Sequence, residues 1–554
     1  MAGDTSEMEN APVFNPMKFR YFVAAAVLLS VSAQAQSGRH PRDREIHDPD
    51  TRAWWHTTEA LSNDGMEGRD TGSAQYQRAA ELVAARFRAA GLKSVGGAYF
   101  QNVPMHEMSV QSDGTSFTLI RSDGAETALA FLQQITVTPA DNLPTRIEAP
   151  LTFRGYCGRD AMNEIAGRMV VCFGTQREGL PSGAERALNA RKGNALGIIN
   201  IDDPYFTIEP PRWPYAYART VTLQSQRGAE WNAPTPFATM RISSDVVDVL
   251  FAGTGREART ILKLGGAKQP LPNFDIPAKL RVELRITQRD ISSNNVLAIL
   301  PGADEKLKNE YLVLSAHLDG YGFGTPVGGD NLYNGTLDDA AYVALLIQLA
   351  DNIKARKLQV PKRSLLFAAF TGEEKGLLGS NWFVAHPTVS LDQLAANINL
   401  DQLRPLFPLQ ILTAEAVRDT SLGETARKIA GSMHIEIRAD AEPERNLLRR
   451  ADQYPFLSNH IPAISFIFGY DPGTDAEKRY REWYQIRYHR PQDDLTQPMD
   501  FDAAKKFNAF FYGLVNAVAN DLERPLIYST SPFAKKESSS RESHAETRNS
   551  RRGD

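Results

Sequence analysis

Beyond Asn294 the chain alternates short apolar runs with amphipathic stretches, and this rhythm constrains the fold more than any other feature. Residues 311–316, 364–370, 396–400 and 463–468 are apolar runs of strand length. Between and after them, residues 338–356 place Val343, Leu346, Ile347, Ala350 and Ile353 at helical spacing, and residues 501–514 do the same with Phe501, Ala504, Phe507, Phe511 and Leu514. Runs of strand length that are apolar throughout, interleaved with helices, predict an α/β domain whose largely parallel sheet is covered on both faces. Sites in such sheets form outside the carboxyl ends of the strands.

The residues at those ends can do chemistry. After 311–316 come His317, Leu318 and Asp319; after the next loop, Asp338 and Asp339 at a helix start; after 364–370, Glu373 and Glu374; after 396–400, Asp401; beyond 463–468, Tyr488 and His489. Two imidazoles and several carboxylates without cysteine suit a borderline divalent ion such as Zn²⁺. Taken singly, each piece has a plainer reading: Asp338-Asp339 as a helix cap, and Glu373-Glu374 as acids at the positive end of a helix. Their joint placement points to a metal site.

Upstream, residues 73–91 read as an amphipathic helix with Ala79, Leu82, Val83, Phe87 and Ala90 on one stripe, Ser73 as its cap and Gly91 as its stop. Residues 136–275 differ in texture, with short β-like runs punctuated by Pro and Gly, and predict a separate β-rich module. The first forty residues carry a leader. Residues 17–35 combine Lys18 and Arg20, an apolar run and the small-residue site Ala33-Gln34-Ala35, the pattern of a secretory signal. An apolar run of about 11 residues is too short to span roughly 30 Å of hydrocarbon, so no stable anchor is expected after cleavage. The acidic segment 1–16 precedes the basic one, which puts the start of translation at Met17. An exported, periplasmic or secreted, protein follows, and an oxidising compartment permits Cys157 and Cys172 either to pair or to remain buried thiols. Residues 531–554 hold one large apolar residue, Phe533, and read as a disordered tail. A net charge of −4 supplies no footprint for nucleic acid.

The runs LVLSAHLDGYG, GGDNLYNGTLDDAAYVA, FTGEEKGLLGS, NINLDQL and RYHRPQDD resemble, in order and spacing, the successive motifs of M28-family zinc aminopeptidases. The resemblance implies a phosphorylase/hydrolase-like mixed sheet flanked by helices, with two zinc ions per chain and a peptide substrate. IAGRMVVCFG and ALNARKGNALGIINIDD resemble the protease-associated (PA) domain that interrupts many members, giving a division into 46–135 (first part of the peptidase domain), 136–275 (PA domain) and 276–525 (catalytic core). By the same resemblance His317 and Asp401 would hold one zinc, Glu374 and His489 the other, and Asp338 would bridge both, with Asp339 a second contender for the bridge. Glu373 matches the general base that acts on a zinc-activated hydroxide, and Asp319 would orient His317. Tyr488 reads either as a donor to the developing oxyanion or as a packed aromatic. Tyr342 stands where the family has a small residue, which would narrow the cleft. The expected activity is removal of N-terminal residues; carboxypeptidase or glutaminyl-cyclase-like chemistry, for which Arg404 could face a substrate carboxylate although a structural salt bridge is the better reading of it, and a non-catalytic receptor-like role are the alternatives.

Overall fold

Two strands of unusual length, Phe100–Arg121 and Asn273–Leu300, organise the molecule. They pair antiparallel from Phe100 opposite Val296 to Arg121 opposite Ala278, forming a ribbon that runs through the whole sheet. The second strand changes character along its length. Ile276, Ala278, Leu280, Val282 and Leu284 are buried between exposed or half-exposed neighbours, whereas Asn295, Val296, Leu297 and Ala298 are buried in succession. Period-two burial belongs to a sheet with one solvated face, and continuous burial to one covered on both.

The computed structural model describes residues 40–174, 179–226, 235–401 and 403–535. Residues 40–44 belong to a first unit, and Glu45 onward forms a second. The leader 17–35 and most of the tail lie outside the described residues. Of the expected tail, Phe533 packs against a buried apolar cluster and its carbonyl lies 2.8 Å from His460 Nδ1. Among the described residues no helix is long and apolar enough to cross a membrane.

At its covered end the ribbon pairs with Ser364–Phe370, and the sheet continues through Tyr311–His317, Leu394–Asn399 and Ala463–Gly469. These four strands run parallel and are buried almost throughout, as their apolar runs predict. One face packs under Pro49–Ser62, Ala74–Ala89, Ala341–Lys354 and Phe501–Asn520, with Trp54, Phe87, Leu345 and Phe507 in one core. The expected cap is in place, the Ser73 side chain accepting from Tyr76 N at 3.0 Å. Phe370, Phe383 and Phe456 fill the other face. The α/β class with a mixed sheet flanked by helices is therefore the observed one.

At its other end the ribbon pairs with Arg146–Arg154, and a second parallel set follows: Met169–Phe173, Gly197–Ile201 and Ala238–Ile242. Its core takes Phe117 and Leu119 from before residue 136 and Leu280 and Val282 from after residue 275. The insert thus reaches past the expected boundaries on both sides, because both modules are built on the same two strands. Cys157 and Cys172 are joined as a disulfide, with Cα atoms 5.5 Å apart, inside a small cluster on the insert's other face.

Candidate metal centre

The expected ligands converge at the carboxyl ends of the four parallel strands. His317 closes Tyr311–His317; Asp338 and Asp339 sit in the turn Thr336–Ala340 that leads into Ala341–Lys354; Glu373 and Glu374 follow Ser364–Phe370. Asp401 follows Leu394–Asn399, and His489 lies beyond helix Asp475–Ile486 in a left-handed backbone conformation (φ 55°). Asp338 stands between the imidazoles, its Oδ1 3.4 Å from His317 Nε2 and its Oδ2 3.4 Å from His489 Nε2. Glu374 lies 3.2 Å from His489 Nε2, and Glu373 lies 3.8 Å from His317 Nε2. Three overlapping triads place their ligand atoms within 4.8 Å of one another: Asp338, Glu374 and His489; His317, Asp339 and Asp401; and His317, Glu373 and Glu374. Asp338 is the acid that spans both histidines. Asp339 instead accepts from the His317 backbone N at 3.1 Å, and the peptide joining the two aspartates is cis.

The tautomer of His317 is set by the backbone of Asp319. Its Nδ1 donates to the Asp319 carbonyl at 3.1 Å, which leaves Nε2 as the lone-pair nitrogen facing Asp338 and Glu373. Asp319 was expected to orient His317 through its carboxylate, but that group is 3.9 Å away. It accepts instead from Thr71 Oγ1 at 2.8 Å and from Glu373 N at 3.0 Å, so it anchors the backbone of the residue placed as the base. Two residues along a strand end, the carbonyl is simply the nearer acceptor.

The electrostatics suit a dication. Five acids, Asp338, Asp339, Glu373, Glu374 and Asp401, crowd two histidines and Arg404, with the buried Arg69 a further charge acting on Asp338 and Asp339. Burial pushes the Glu373 carboxyl well above its usual range, and Asp401 and Glu374 add to this against His317. Asp401 is pushed up to about 6, mainly by burial. Burial acts the same way on Asp338, but Arg404 and the two histidines outweigh it and hold this carboxyl well below its ordinary value. Both His317 Nε2 and Asp338 Oδ2 are buried with no hydrogen-bond partner, although polar atoms so placed are nearly always satisfied. Two imidazole nitrogens, a spanning carboxylate and terminal carboxylates form the donor set that zinc prefers.

Tyr342 differs from expectation, while Arg404 and Tyr488 take the structural one of the two readings each allowed. Tyr342 points away from the cleft: it is 1% exposed, donates to the Leu403 carbonyl at 3.0 Å and packs edge-on against Phe507. Arg404, considered for a substrate carboxylate, is fully buried behind the centre, 3.4 Å from Asp338 and bonded to the Leu337 and Leu403 carbonyls at 2.9 Å each. Tyr488 stacks on His489 with ring centres 3.8 Å apart, and its hydroxyl accepts from Arg450 at 3.2 Å. The hydroxyl at the centre belongs to Tyr321, 2.9 Å from His489 Nδ1. Sequence reasoning missed this residue, as it missed Asp493, whose two oxygens accept the Leu337 and Asp338 backbone N–H groups at 3.0 Å each. Both lie inside the motif runs, at LDGYG and RPQDD, so position in a motif was the available signal.

The family model of peptidase family M28 matches residues 295–515, the stretch that carries every expected ligand. The chain carries a peptidase family M28 domain. A probable zinc metalloprotease of Pyrenophora tritici-repentis is 26% identical over 265 residues, 42% of this chain and 58% of that protein. A probable leucine aminopeptidase 2 of Aspergillus oryzae is 25% identical over 226 residues, 38% of this chain and 41% of its own length. The chain spans about half the length of these curated relatives. Among solved structures, an aminopeptidase from Aneurinibacillus sp. strain AM-1 superimposes with a TM-score of 0.57 at 18% identity, over 86% of this chain and 95% of that one. The chain thus shares its fold with a solved protein over most of its length.

Proposed function

We propose that the chain is an exported two-zinc exopeptidase that hydrolyses N-terminal residues from peptides. The observation that carries this reading is Asp338 standing between His317 and His489 with Glu373 alongside. Asp338 would bridge the ions, His317 and Asp401 would hold one, and Glu374 and His489 the other. When bound, the ions lower the pKa of water from 15.7 toward roughly 7 and polarise the scissile carbonyl.

The chain's own groups do the rest. Glu373, desolvated and held by the Asp319 carboxylate at its backbone N, accepts a proton from the attacking water and returns it to the leaving amine. Adjacent glutamates at the end of one strand divide the work, Glu374 facing His489 and Glu373 facing His317. Tyr321 holds the His489 ring, and Asp493 holds the backbone that presents Asp338. The relatives named as a zinc metalloprotease and a leucine aminopeptidase support the reaction class. The Cys157–Cys172 disulfide supports export, since such bonds persist in oxidising compartments. Residues 136–275 we read as a PA-like insertion.

Glu373→Gln should lower kcat by about 10²–10⁴-fold while zinc content stays at the wild-type level. Turnover near wild type would refute the role of Glu373. A panel of aminoacyl chromogenic amides, blocked and unblocked at the amine, tests the aminopeptidase assignment, which hydrolysis of blocked substrates alone would overturn.

A further inference from the structure

Far upstream of the stretch that matches the family model, the turn Asp64–Arg69 and the two residues after it reach the metal centre. Arg69 is fully buried, and its guanidinium makes four bonds to backbone carbonyls. Nε donates to Leu318, Nη1 to Leu61 and Asn334, and Nη2 to Gly335, each at 2.8 Å. Leu318 follows His317, and Gly335 precedes the turn Thr336–Ala340 that carries Asp338. One planar fork therefore sets the separation between the strand end with the first histidine and the turn with the spanning acid. A lysine ammonium, a point charge on a flexible stem, does not reproduce that fork. Arg69 also adopts a left-handed backbone conformation (φ 50°), which a residue with a side chain keeps only where its surroundings require it. Gly68 before it packs so closely that a Cβ there would stand 2.2 Å from the Tyr333 carbonyl.

The next two residues extend the contact. Thr71, also buried, donates through Oγ1 to Asp319 Oδ2 at 2.8 Å, and the other Asp319 oxygen accepts from Glu373 N at 3.0 Å. Asp70 accepts from both Nη atoms of Arg219, on the insert strand Ala218–Leu223, at 2.6 and 2.5 Å, and lies 3.5 Å from Lys375 Nζ. The turn is thus tied to the insert and to the ligand-bearing loops alike.

Resting on the peptidase reading above, we propose that Arg69 and Thr71 are positioning residues with separate tasks: Arg69 fixes the spacing of His317 and Asp338 for zinc, and Thr71, through Asp319, fixes Glu373 for proton transfer. Packing alone would not divide the effects this way, because a loosened turn disturbs ligands and base together.

Two readouts separate the tasks: zinc affinity from competition with a chelator, and kcat and KM on an unblocked aminoacyl amide at saturating zinc. Arg69→Lys, which keeps the charge and loses the fork, should weaken zinc affinity by about 10–100-fold. Thr71→Val, which keeps the shape and loses the hydroxyl, should lower kcat by about tenfold with KM and zinc affinity within about twofold of wild type, and Thr71→Ser should restore most of the loss. Unchanged zinc affinity in Arg69→Lys, or unchanged kcat in Thr71→Val, would overturn the proposal. So would a Thr71→Val variant whose zinc affinity falls as far as its kcat, or a Thr71→Ser variant no better than Thr71→Val. Should Arg69→Lys fail to fold, the Thr71 pair still decides. A wild type that binds zinc but hydrolyses no amide would bring down the peptidase reading and the task given to Thr71, whereas the Arg69 variant, read on the metal alone, would stand or fall on its own result.

Discussion

Both parallel strand sets end in acids, but the acids keep different company. In the insert, Asp202 pairs with Arg241, and Glu209 with both Arg450 and Arg212, so that each carboxylate has at least one guanidinium. In the M28 domain, Asp338, Asp339, Glu373, Glu374 and Asp401 crowd two histidines, with Arg404 paired to Asp338 and the buried Arg69 a further charge acting on Asp338 and Asp339. Burying a carboxylate is costly unless a cation compensates it. The insert meets that requirement within the chain, so its acids hold structure together; in the M28 domain the acids outnumber the cations beside them, the imbalance that the proposed zinc ions would relieve.

The contrast can be broken most forcefully at Asp338. Asp338→Ala should remove zinc measured by elemental analysis and lower activity by about a thousandfold or more; retention of both would mean that the spanning acid is not the bridge. In the insert, replacing Cys157 and Cys172 by serine should cost about 3 kcal/mol of stability, the entropy of a loop of this size. Denaturant melts would read it, and zinc content should hold at the wild-type level in the folded protein. Tyr321→Phe, which leaves His489 Nδ1 without its hydroxyl, should weaken zinc affinity or activity by about 10–100-fold, as removal of such supporting bonds does. A smaller effect tests a further acid of the M28 domain. Burial, with Asp440 adding to it, pushes Glu415 up to about 8 from an unperturbed 4.5. The folded chain therefore binds this proton more tightly than the unfolded one, so the contribution is full below pH 4.5 and is lost as pH rises through 8. Melting temperatures of Glu415→Gln should fall less than those of wild type across that window; parallel curves would show that folding does not raise the Glu415 pKa.

Much of the M28 domain was legible because its strands are buried on both faces, which leaves no freedom in composition: 311–316, 364–370 and 463–468 could be read as strands directly. Candidate ligands at strand ends, His317, Glu373, Glu374 and Asp401, were legible for the same reason, each following an apolar run, whereas Asp338 and His489 lie in loops. Three things were not. The module boundaries were misplaced because a ribbon strand that alternates over half its length and is covered over the other half has no break in sequence at which to divide it. Tyr342 was assigned to the cleft because it begins a helix near the acids, yet which way the first turn faces depends on how Ala341–Lys354 packs against Phe507. Tyr321 and Asp493 are distant in sequence from the atoms they bond, His489 Nδ1 and the Leu337 and Asp338 amides.

What the amino-acid sequence determined alone was the set of chemical types and the strand each would follow, since hydrophobic burial dictates the period of the pattern and the pattern dictates the ends. What only the tertiary structure decided was company: which oxygen of Asp338 meets which imidazole, that Asp319 reaches His317 by its carbonyl, and that Arg69 meets the carbonyls of Leu318 and Gly335. Distances of 3–4 Å between residues as many as 277 positions apart arise from the packing of two modules on one ribbon, and no local spacing encodes them.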